Sequence, residues 1–387
     1  MIGMSAVIFI PDDTAKTGYP QPLMLQSVMG APLLAWLANA LFDSGVGRFF
    51  LVCHDRYVEA ARACLPAEAE VKTTMDSDPA DLLQVFLSTA EDAEHTITVV
   101  TGPAVYLPQL APQAAGRFPR VYGVSREELM QALDEHFSFA RFLLDNGSPM
   151  NEEQAMYSVA SPAELPEIAG LLQRNRLLAL ARTGVEIYDA SSCYVEPSVR
   201  VAPGARLLPG TMLRGKTVIG EEAVIGPWSV IDDSVIGARA VVNASQVRES
   251  RVGQDAVVGP YASVRGGCEL GRSVRAGSFV ELKNARLGEN TQVPHLAYLG
   301  DTEAGANCNF GCGVATANFD RVQKHETVVG EGAFIGCNTA LIAPLQVGSG
   351  AYIGAGSTIT EDVPAQALGI ARARQSNKKE WAAKHKK

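Results

Sequence analysis

The chain has 387 residues, of which 47% are hydrophobic and 19% charged, and its formal net charge is -9 at pH 7. This length has room for two or three domains, and the negative charge excludes nucleic acid or an anionic membrane surface as the main partner. The seven cysteines lack the spacing of a disulfide framework, which predicts reduced thiols in the cytoplasm. The apolar run at 6–10 has no basic flank and is too short for a signal peptide or a membrane span.

Residues up to about 110 alternate apolar runs with amphipathic segments. The apolar runs predict strands at 6–10, 48–53, 70–73 and 96–100, and the amphipathic segments predict helices at 32–43, 56–64 and 79–90. Strands that alternate with helices indicate a parallel sheet covered on both faces. Residues 1–160 are therefore expected to form an α/β, Rossmann-like domain, with a further helix over 125–144.

A helix is predicted to separate the two halves of the chain. The letters SPAE at 161–164 have the pattern of a capping box with proline at the first helical position. The helix is expected to continue to Arg182, and Gly184 is expected to be the left-handed residue that ends it. Residues 161–184 are interpreted as a linker helix.

A six-residue period begins at about residue 187. An aliphatic residue recurs every six positions, often before glycine, and the pair IG begins at 219, 225, 236, 335 and 353. This period fits neither a helix nor one strand, and predicts a solenoid over 185–365 whose aliphatic residues point inward and whose glycines turn the corners. The repeat breaks between 316 and 327. An insertion there must loop outward, and such loops often bind ligands.

The last segment, 366–387, forms a basic tail. Its lysines are Lys378, Lys379, Lys384, Lys386 and Lys387. One interpretation is a solvated chain end, and the other is a clamp on the phosphates of a nucleotide-like cofactor.

Four stretches of the C-terminal half follow a known pattern. They are FVELKNARLG at 279–288, HLAYLGD at 295–301, NCNFG at 307–311 and NFD at 318–320. From about residue 185 to the end, the sequence resembles the acetyltransferase domain of the bifunctional N-acetylglucosamine-1-phosphate uridyltransferase/glucosamine-1-phosphate N-acetyltransferase family. The N-terminal half resembles the uridyltransferase (nucleotidyltransferase-like) domain of that family far more weakly.

The resemblance implies a left-handed parallel β-helix that forms a homotrimer with active sites between subunits. It implies acetyl transfer from acetyl-CoA to glucosamine-1-phosphate, a step toward peptidoglycan precursors, without a metal. By motif, His295 is expected to be the general base that takes a proton from the sugar amine. The residues expected to hold the sugar phosphate are Arg265, Lys283, Tyr298, Asn309 and Lys324. Those expected to line the acetyl-CoA site are Cys312, Asn318, Phe319, Cys337, Ala355 and Arg372.

These residue types suit acetyl transfer to an amine. Histidine titrates near neutrality, and a placed base contributes roughly 10²–10⁴-fold in rate. Arg265 and Lys283 supply cations for a phosphate, although both are also compatible with a solvated surface. The chain has Phe319, Cys337 and Cys312 where the family commonly has tyrosine, serine and alanine. These departures affect the acetyl-CoA site and leave a different amino sugar or nucleotide sugar as an alternative acceptor.

The uridyltransferase motifs are missing from the N-terminal half. The family's first strand runs into a glycine-rich, arginine-containing loop, whereas this chain has PDDTAKTG at 11–18, whose two acidic residues would repel phosphate. The letters PQ at 20–21 replace the family's Pro-Lys, and GP at 102–103 replaces the glycine and metal-binding aspartate. Lys16 alone does not rebuild this site. The half is also shorter than the family's domain, so it is expected to be catalytically inactive.

Two further hypotheses stay open. Cys308 and Cys312 suggest a metal pair, although small apolar cysteines that fill solenoid positions are the favoured interpretation. A zinc enzyme with three histidine ligands needs more than His295 and His325, the two histidines of the predicted β-helix. The second of these hypotheses is a non-catalytic module that senses nucleotide sugars or scaffolds a partner, and it is preferred for the N-terminal half.

Overall fold

A computed structural model describes residues 4–74, 80–89, 95–110, 120–134, 139–150 and 155–385. The chain divides into two compact units. The first comprises Met1–Ala190, Tyr194–Val199 and Leu213–Gly215, and the second comprises Ser191–Cys193, Arg200–Met212 and Lys216–Lys387. We call them the N-terminal unit and the β-helix unit. The domain bounds expected from the sequence stay a prediction.

The N-terminal unit is built on a six-stranded sheet. In spatial order its strands are Glu70–Thr74, Arg48–Cys53, Ser5–Ile10, Thr96–Val100, Val121–Ser125 and Ser148–Met150. The first four are mutually parallel, as the strand–helix alternation predicted, and the last two pair antiparallel. The expectation of one helix over 125–144 was wrong at its start. Residue 125 ends a strand because that strand pairs along the whole of Thr96–Val100.

Helices cover the sheet of the N-terminal unit. They are Thr14–Thr17, Leu33–Asp43, Val58–Arg62, Ala80–Ser88, Arg126–Asp134, Phe139–Asn146 and Leu165–Arg182, with 3-10 turns at Leu23–Leu25, Asp55–Tyr57 and Pro162–Glu164. The predicted helix at 79–90 is confirmed over Ala80–Ser88, while its two end residues lie outside the described residues. Two short antiparallel pairs complete the unit, Ser27–Val28 with Ala31–Pro32 and Ala104–Tyr106 with Met156–Ser158.

The helix at the end of the N-terminal unit begins later than the capping pattern predicted. Ser161 starts a 3-10 turn without capping it through its side chain, and the α-helix begins at Leu165. The Glu164 carboxylate instead accepts the backbone N–H of Ala160 at 3.4 Å. Gly184 ends the helix with φ +93°, as expected. Among the described residues, Ile168 belongs to the buried core of the N-terminal unit.

The C-terminal part of the chain forms a parallel β-helix. Before residue 275, strands of the β-helix unit pair in parallel with the strand three further along, so three strands complete one coil. From residue 186 onward, the strands of the chain are Glu186–Ile187, Tyr194–Val195, Arg200–Val201, Arg206–Leu207, Met212–Arg214, Val218–Ile219, Val224–Ile225, Val230–Asp232, Val235–Ile236, Val241–Val242, Gln246–Arg248, Arg251–Val252, Val257–Val258, Ser263–Arg265, Glu269–Leu270, Arg275–Leu287, Gln292–Ala304, Asn309–Phe310, Ala315–Ala317, Thr327–Val329, Phe334–Ile335, Ala340–Ile342, Leu345–Val347, Tyr352–Ile353, Thr358–Ile359 and Leu368–Gly369.

The hexapeptide pattern works as predicted. Ile219, Ile236, Val252 and Leu270 lie opposite one another on successive coils and are buried inside. Each such side chain contributes about 1.5–3 kcal/mol when it leaves water. Glycine follows them because the next coil passes too close for a side chain, since a Cβ on Gly220 would stand 2.6 Å from a backbone nitrogen.

The C-terminal tail ends in a short helix, Trp381–Lys384, and every described residue from 371 onward is exposed. Lys386 and Lys387 lie outside the described residues. Within the described ranges, none of the helices combines the length and the apolar character that a bilayer span requires.

Candidate functional site

At one corner of the β-helix, His295, the predicted general base, lies in a column with residues predicted to line the acetyl-CoA site. Gln292 pairs with Asn309 and Tyr298 pairs with Ala315, so both sides of this corner advance by 17 positions from one coil to the next. His295 therefore lies over Cys312, because the corner residues keep the register of the strands that flank them.

The stack that begins with His295 and Cys312 continues over two further coils. The pairs that flank the next step are 25 positions apart, which puts Cys312 over Cys337. The pairs that flank the following step are 18 positions apart, which puts Cys337 over Ala355. His295, Cys312, Cys337 and Ala355 are all exposed, and we call this set the corner column. Arg372 is close by, with its Cδ 3.7 Å from where a Cβ on Gly356 would stand.

Three cations meet on the flat side that follows this corner. Arg265 and Lys283 are directly opposite on adjacent strands, and Lys324 reaches Lys283 from the outward loop. The neighbouring Lys324 ammonium lowers the pKa of Lys283 most, partial desolvation and the Arg265 charge lower it further, and Asp301 opposes this shift. Crowded like charges indicate a place for an anion, because a bound anion relieves their repulsion. We call these three residues the cation cluster.

The cation cluster has its own counter-charge. Arg265 forms an ion pair with Glu281 through its guanidinium, and both side chains are partly exposed. Tyr298 lies opposite Glu281 on the next strand. The Tyr298 hydroxyl leans over Gly300, where a Cβ would stand 2.3 Å from it, so glycine at this position allows the tyrosine to lie along the strand.

An amide–carboxylate ladder fixes the start of the outward loop. Asn284 donates to Asp301 Oδ1 at 2.7 Å, and the Asn318 amide donates to the other oxygen of Asp301. Asn318 is 7% exposed, so its amide mainly serves the fold of this corner. The spacing of the ladder is visible in the sequence, since its three members recur every 17 residues.

The break in the repeat predicted an outward loop, and the structure forms a closed hairpin there. Phe319 and Lys324 form an antiparallel bridge, and the N–H of His325 donates to the Asn318 carbonyl. The Asp320 carboxylate accepts the N–H groups of Val322 and Gln323 at 2.7 Å each and bonds the His325 ring at 2.7 Å. The N–H of Gln323 first, then the His325 ring, hold the pKa of Asp320 well below its usual range.

The remaining predicted residues lie at the margins of these groups. Asn309 is half-buried on the flat strand that leads into the corner column, and the Phe319 ring is 60% exposed on the hairpin. Lys283 lies opposite Gly300, five positions along the strand from His295. At about 3.3 Å per residue this is roughly 16 Å of chain, and the path turns the corner at Leu296, which has φ +35°.

The residues suspected as a metal pair face different environments. Cys308 is buried, where it fills a core position, whereas Cys312 is exposed. Burial raises the pKa of the Cys308 thiol, which opposes the thiolate that a metal needs. Over the described ranges, no group of three or more His, Cys, Asp or Glu side chains is arranged to hold a metal.

In the N-terminal unit, the segment after the first strand folds on itself. It forms the helical turn Thr14–Thr17, which ends at Gly18 with φ +73°. Asp12 accepts the Thr14 hydroxyl at 2.7 Å and forms an ion pair with Arg56. Asp13 accepts the backbone N–H of Leu23 at 2.9 Å. The acidic residues that replace the glycine-rich loop therefore stabilise the local fold.

Comparison with known proteins supports the family resemblance. The family model "Bacterial transferase hexapeptide (six repeats)" matches residues 326–361. The chain is 41% identical over 240 residues to "Bifunctional protein GlmU" of Clostridium perfringens, covering 62% of this chain and 53% of the relative. It is 44% identical over 221 residues to the protein of that name from Brevibacillus brevis, covering 57% and 48%. The chain spans about half the length of the curated relatives it matches.

A solved structure, the UDP-N-acetylglucosamine acyltransferase of Francisella novicida, overlaps 48% of this chain and 66% of its own, at 18% identity and a TM-score of 0.30.

Proposed function

We propose that this chain, which is similar to the bifunctional GlmU proteins, transfers an acetyl group from acetyl-CoA to the amine of an amino-sugar phosphate. Glucosamine-1-phosphate is the acceptor that the family resemblance favours. The observation that carries the proposal is the corner column: an exposed histidine stacked in register with small exposed side chains, on the same strand that faces the cation cluster.

The proposed division of labour follows from the chemistry of each group. His295 is exposed and takes the proton that the amine loses as it attacks the thioester carbonyl. The small side chains at 312, 337 and 355 leave room along the corner for the extended arm of acetyl-CoA. Arg372 and the basic tail are suited to its phosphates. The cation cluster holds the sugar phosphate through charge-assisted hydrogen bonds.

We propose that the active site is shared by subunits, as the family resemblance implies. The corner column and the cation cluster lie on opposite sides of the turn at Leu296, and in this proposal a second copy of the chain supplies one of the two groups to each site. A homotrimer of β-helices provides this arrangement.

The direct test measures the release of CoA thiol when purified protein is mixed with acetyl-CoA and glucosamine-1-phosphate. His295→Ala should lower kcat by roughly 10²–10⁴-fold, since a placed base contributes that much. Glu303→Ala changes an exposed side chain on the same strand and serves as the matched control. A loss of less than about tenfold in His295→Ala would show that another group takes the proton.

A mixing experiment tests the shared site. His295→Ala and Lys283→Gln subunits, each weakly active alone, are unfolded together and refolded. Mixed oligomers should regain activity, because some sites then combine an intact histidine with an intact lysine from different subunits. Unchanged activity after confirmed mixing would assign both residues to the same chain's site.

One alternative to glucosamine-1-phosphate stays open as the acceptor of the acetyl group. Phe319 is exposed on the outward loop, where the family commonly has tyrosine, so a related amino sugar or nucleotide sugar fits the same chemistry. A panel of amino sugars compared by kcat/KM separates the two. A higher kcat/KM for another amino sugar would replace glucosamine-1-phosphate as the substrate.

We infer that the N-terminal unit does not transfer uridylyl groups. Its first loop is a helical turn whose carboxylates bond its own backbone and Arg56, and Pro103 offers no carboxylate for magnesium. The purified protein should release no pyrophosphate from UTP and N-acetylglucosamine-1-phosphate with Mg²⁺. A measurable rate that survives further purification would reverse this inference.

A further inference from the structure

Two cysteines stand apart from the others in this chain. Cys312 and Cys337 are exposed free thiols. The remaining cysteines are buried: Cys53, Cys64, Cys193, Cys268 and Cys308. Both exposed thiols belong to the corner column, on consecutive coils.

The geometry of the corner brings the two thiols together. Neighbouring parallel strands are about 4.8 Å apart, and disulfides join Cα atoms roughly 4.4–6.8 Å apart. Since Cys312 lies over Cys337 in register, the strand spacing puts their Cα separation within this range. The Cys337 Sγ is directed toward the coil that carries Cys312, because it lies 2.9 Å from where a Cβ on Gly311 would stand.

The surroundings make this pair more reactive than the buried thiols. Thiol–disulfide exchange needs a thiolate and an open path for the attacking sulfur. Burial raises the pKa of the Cys308 and Cys268 thiols, and the solenoid wall encloses both. Cys312 and Cys337 face solvent instead.

We propose that Cys312 and Cys337 form a dithiol site that a low-molecular-weight disulfide converts into a disulfide between adjacent coils. One cysteine thiolate attacks the disulfide R–S–S–R, forms a mixed disulfide and displaces one RSH. The second cysteine attacks the protein sulfur of that mixed disulfide and displaces the second RSH. The two cysteines lose two electrons and two protons, and the reagent gains them.

The consequence for activity rests on the proposed function. The new disulfide would lie across the corner column between His295 and Ala355, along the path assigned to acetyl-CoA. Oxidation should therefore remove most acetyl transfer, and a dithiol reductant should restore it.

The test uses the full-length protein treated with glutathione disulfide, followed by intact-mass measurement and peptide mapping. Wild type should lose two hydrogens and yield one linked peptide pair containing residues 312 and 337. Cys312→Ser and Cys337→Ser should each carry one glutathione instead, and the Cys308→Ser control should behave as wild type. Two glutathione adducts on wild type, or a linked pair that includes another cysteine, would overturn the proposal.

Acetyl transfer is then followed by mass detection of the acetylated sugar, so that added thiols do not interfere. Oxidised wild type should lose most activity and regain it after treatment with a dithiol reductant. If the disulfide forms and activity stays unchanged, the block of the acetyl-CoA path is wrong. If reduced wild type shows no transfer at all, the proposed function fails, while the mass result still decides the dithiol site.

Discussion

The two units use their polar side chains in different ways. In the N-terminal unit, the loop after the first strand uses two carboxylates for its own structure. Asp12 accepts the Thr14 hydroxyl in the helical turn, and Asp13 accepts the backbone N–H of Leu23. In the β-helix unit, buried aliphatic ladders hold the coils, and the exposed side of the corner column is left for other tasks. A solenoid thus separates residues that stabilise the fold from residues available for binding, whereas a short loop in an α/β fold must use the same side chains for its structure.

The largest expected effect comes from truncating one core side chain in each unit. Phe310 in the β-helix and Phe49 in the N-terminal sheet are both fully buried. Each change to alanine should lower the free energy of unfolding of its own unit by about 3–5 kcal/mol, through lost burial and the cavity left behind. Urea denaturation followed by circular dichroism measures both.

Activity distinguishes the two truncations. Phe310→Ala should abolish acetyl transfer at temperatures where the β-helix melts, whereas Phe49→Ala should retain it. Equal loss of transfer in both variants would contradict the separation of roles between the units.

The next effect concerns the cation cluster. Lys283→Gln should raise KM for the sugar phosphate by about 10–100-fold, because a hydrogen bond to a charged group is worth about 1.5–3 kcal/mol. Steady-state kinetics with varied acceptor gives this value, and kcat should change much less. Arg286→Gln removes an exposed cation on the same strand and should leave KM unchanged. A similar rise in both variants would indicate general electrostatic attraction.

A smaller effect is expected from the hairpin that carries Lys324. Asp320→Ala removes the carboxylate that accepts hydrogen bonds from two backbone N–H groups, so the Lys324 ammonium on this hairpin should be displaced. The KM for the sugar phosphate should then rise by about tenfold, with little change in kcat. The pKa of Asp320 is lower in the folded protein than in the unfolded chain, where it is near 3.9. The ionised carboxylate therefore stabilises the folded protein fully above that unfolded pKa, and this stabilisation is lost as the pH falls through the folded pKa.

The pH dependence of the hairpin that carries Lys324 provides the control for Asp320→Ala. The wild-type hairpin should stay closed from neutral pH down to about pH 4, with the N–H groups of Val322 and Gln323 protected from hydrogen exchange, while Asp320→Ala should leave them unprotected over that entire range. A hairpin that opens in wild type near neutral pH would contradict the assigned role of the carboxylate.

The sequence predicted the β-helix well and its site only in part. A strict six-residue period is compatible with a β-helix and with neither a single helix nor a single strand, because the inward residues must stack from coil to coil. The register that puts His295 over Cys312 could not be read directly, since it depends on coils of 17, 25 and 18 residues. The Glu281 partner of Arg265 was missed for the same reason. In the N-terminal unit, the antiparallel strand Val121–Ser125 was missed because its neighbours, and not its own pattern, fix its pairing.

The smallest expected effect returns to the first loop of the N-terminal unit. Asp13→Ala leaves the N–H of the buried Leu23 without its acceptor, which should lower the stability of this unit by about 1–2 kcal/mol. Trp36, which is 4% exposed in the same core, reports the transition by fluorescence in a background of Trp228→Phe and Trp381→Phe. Acetyl transfer should not change. If Asp13→Ala instead gained measurable binding of UTP with no loss of stability, the carboxylate would act as a barrier to phosphate and not as a structural acceptor, and the contrast between the two units would have to be redrawn.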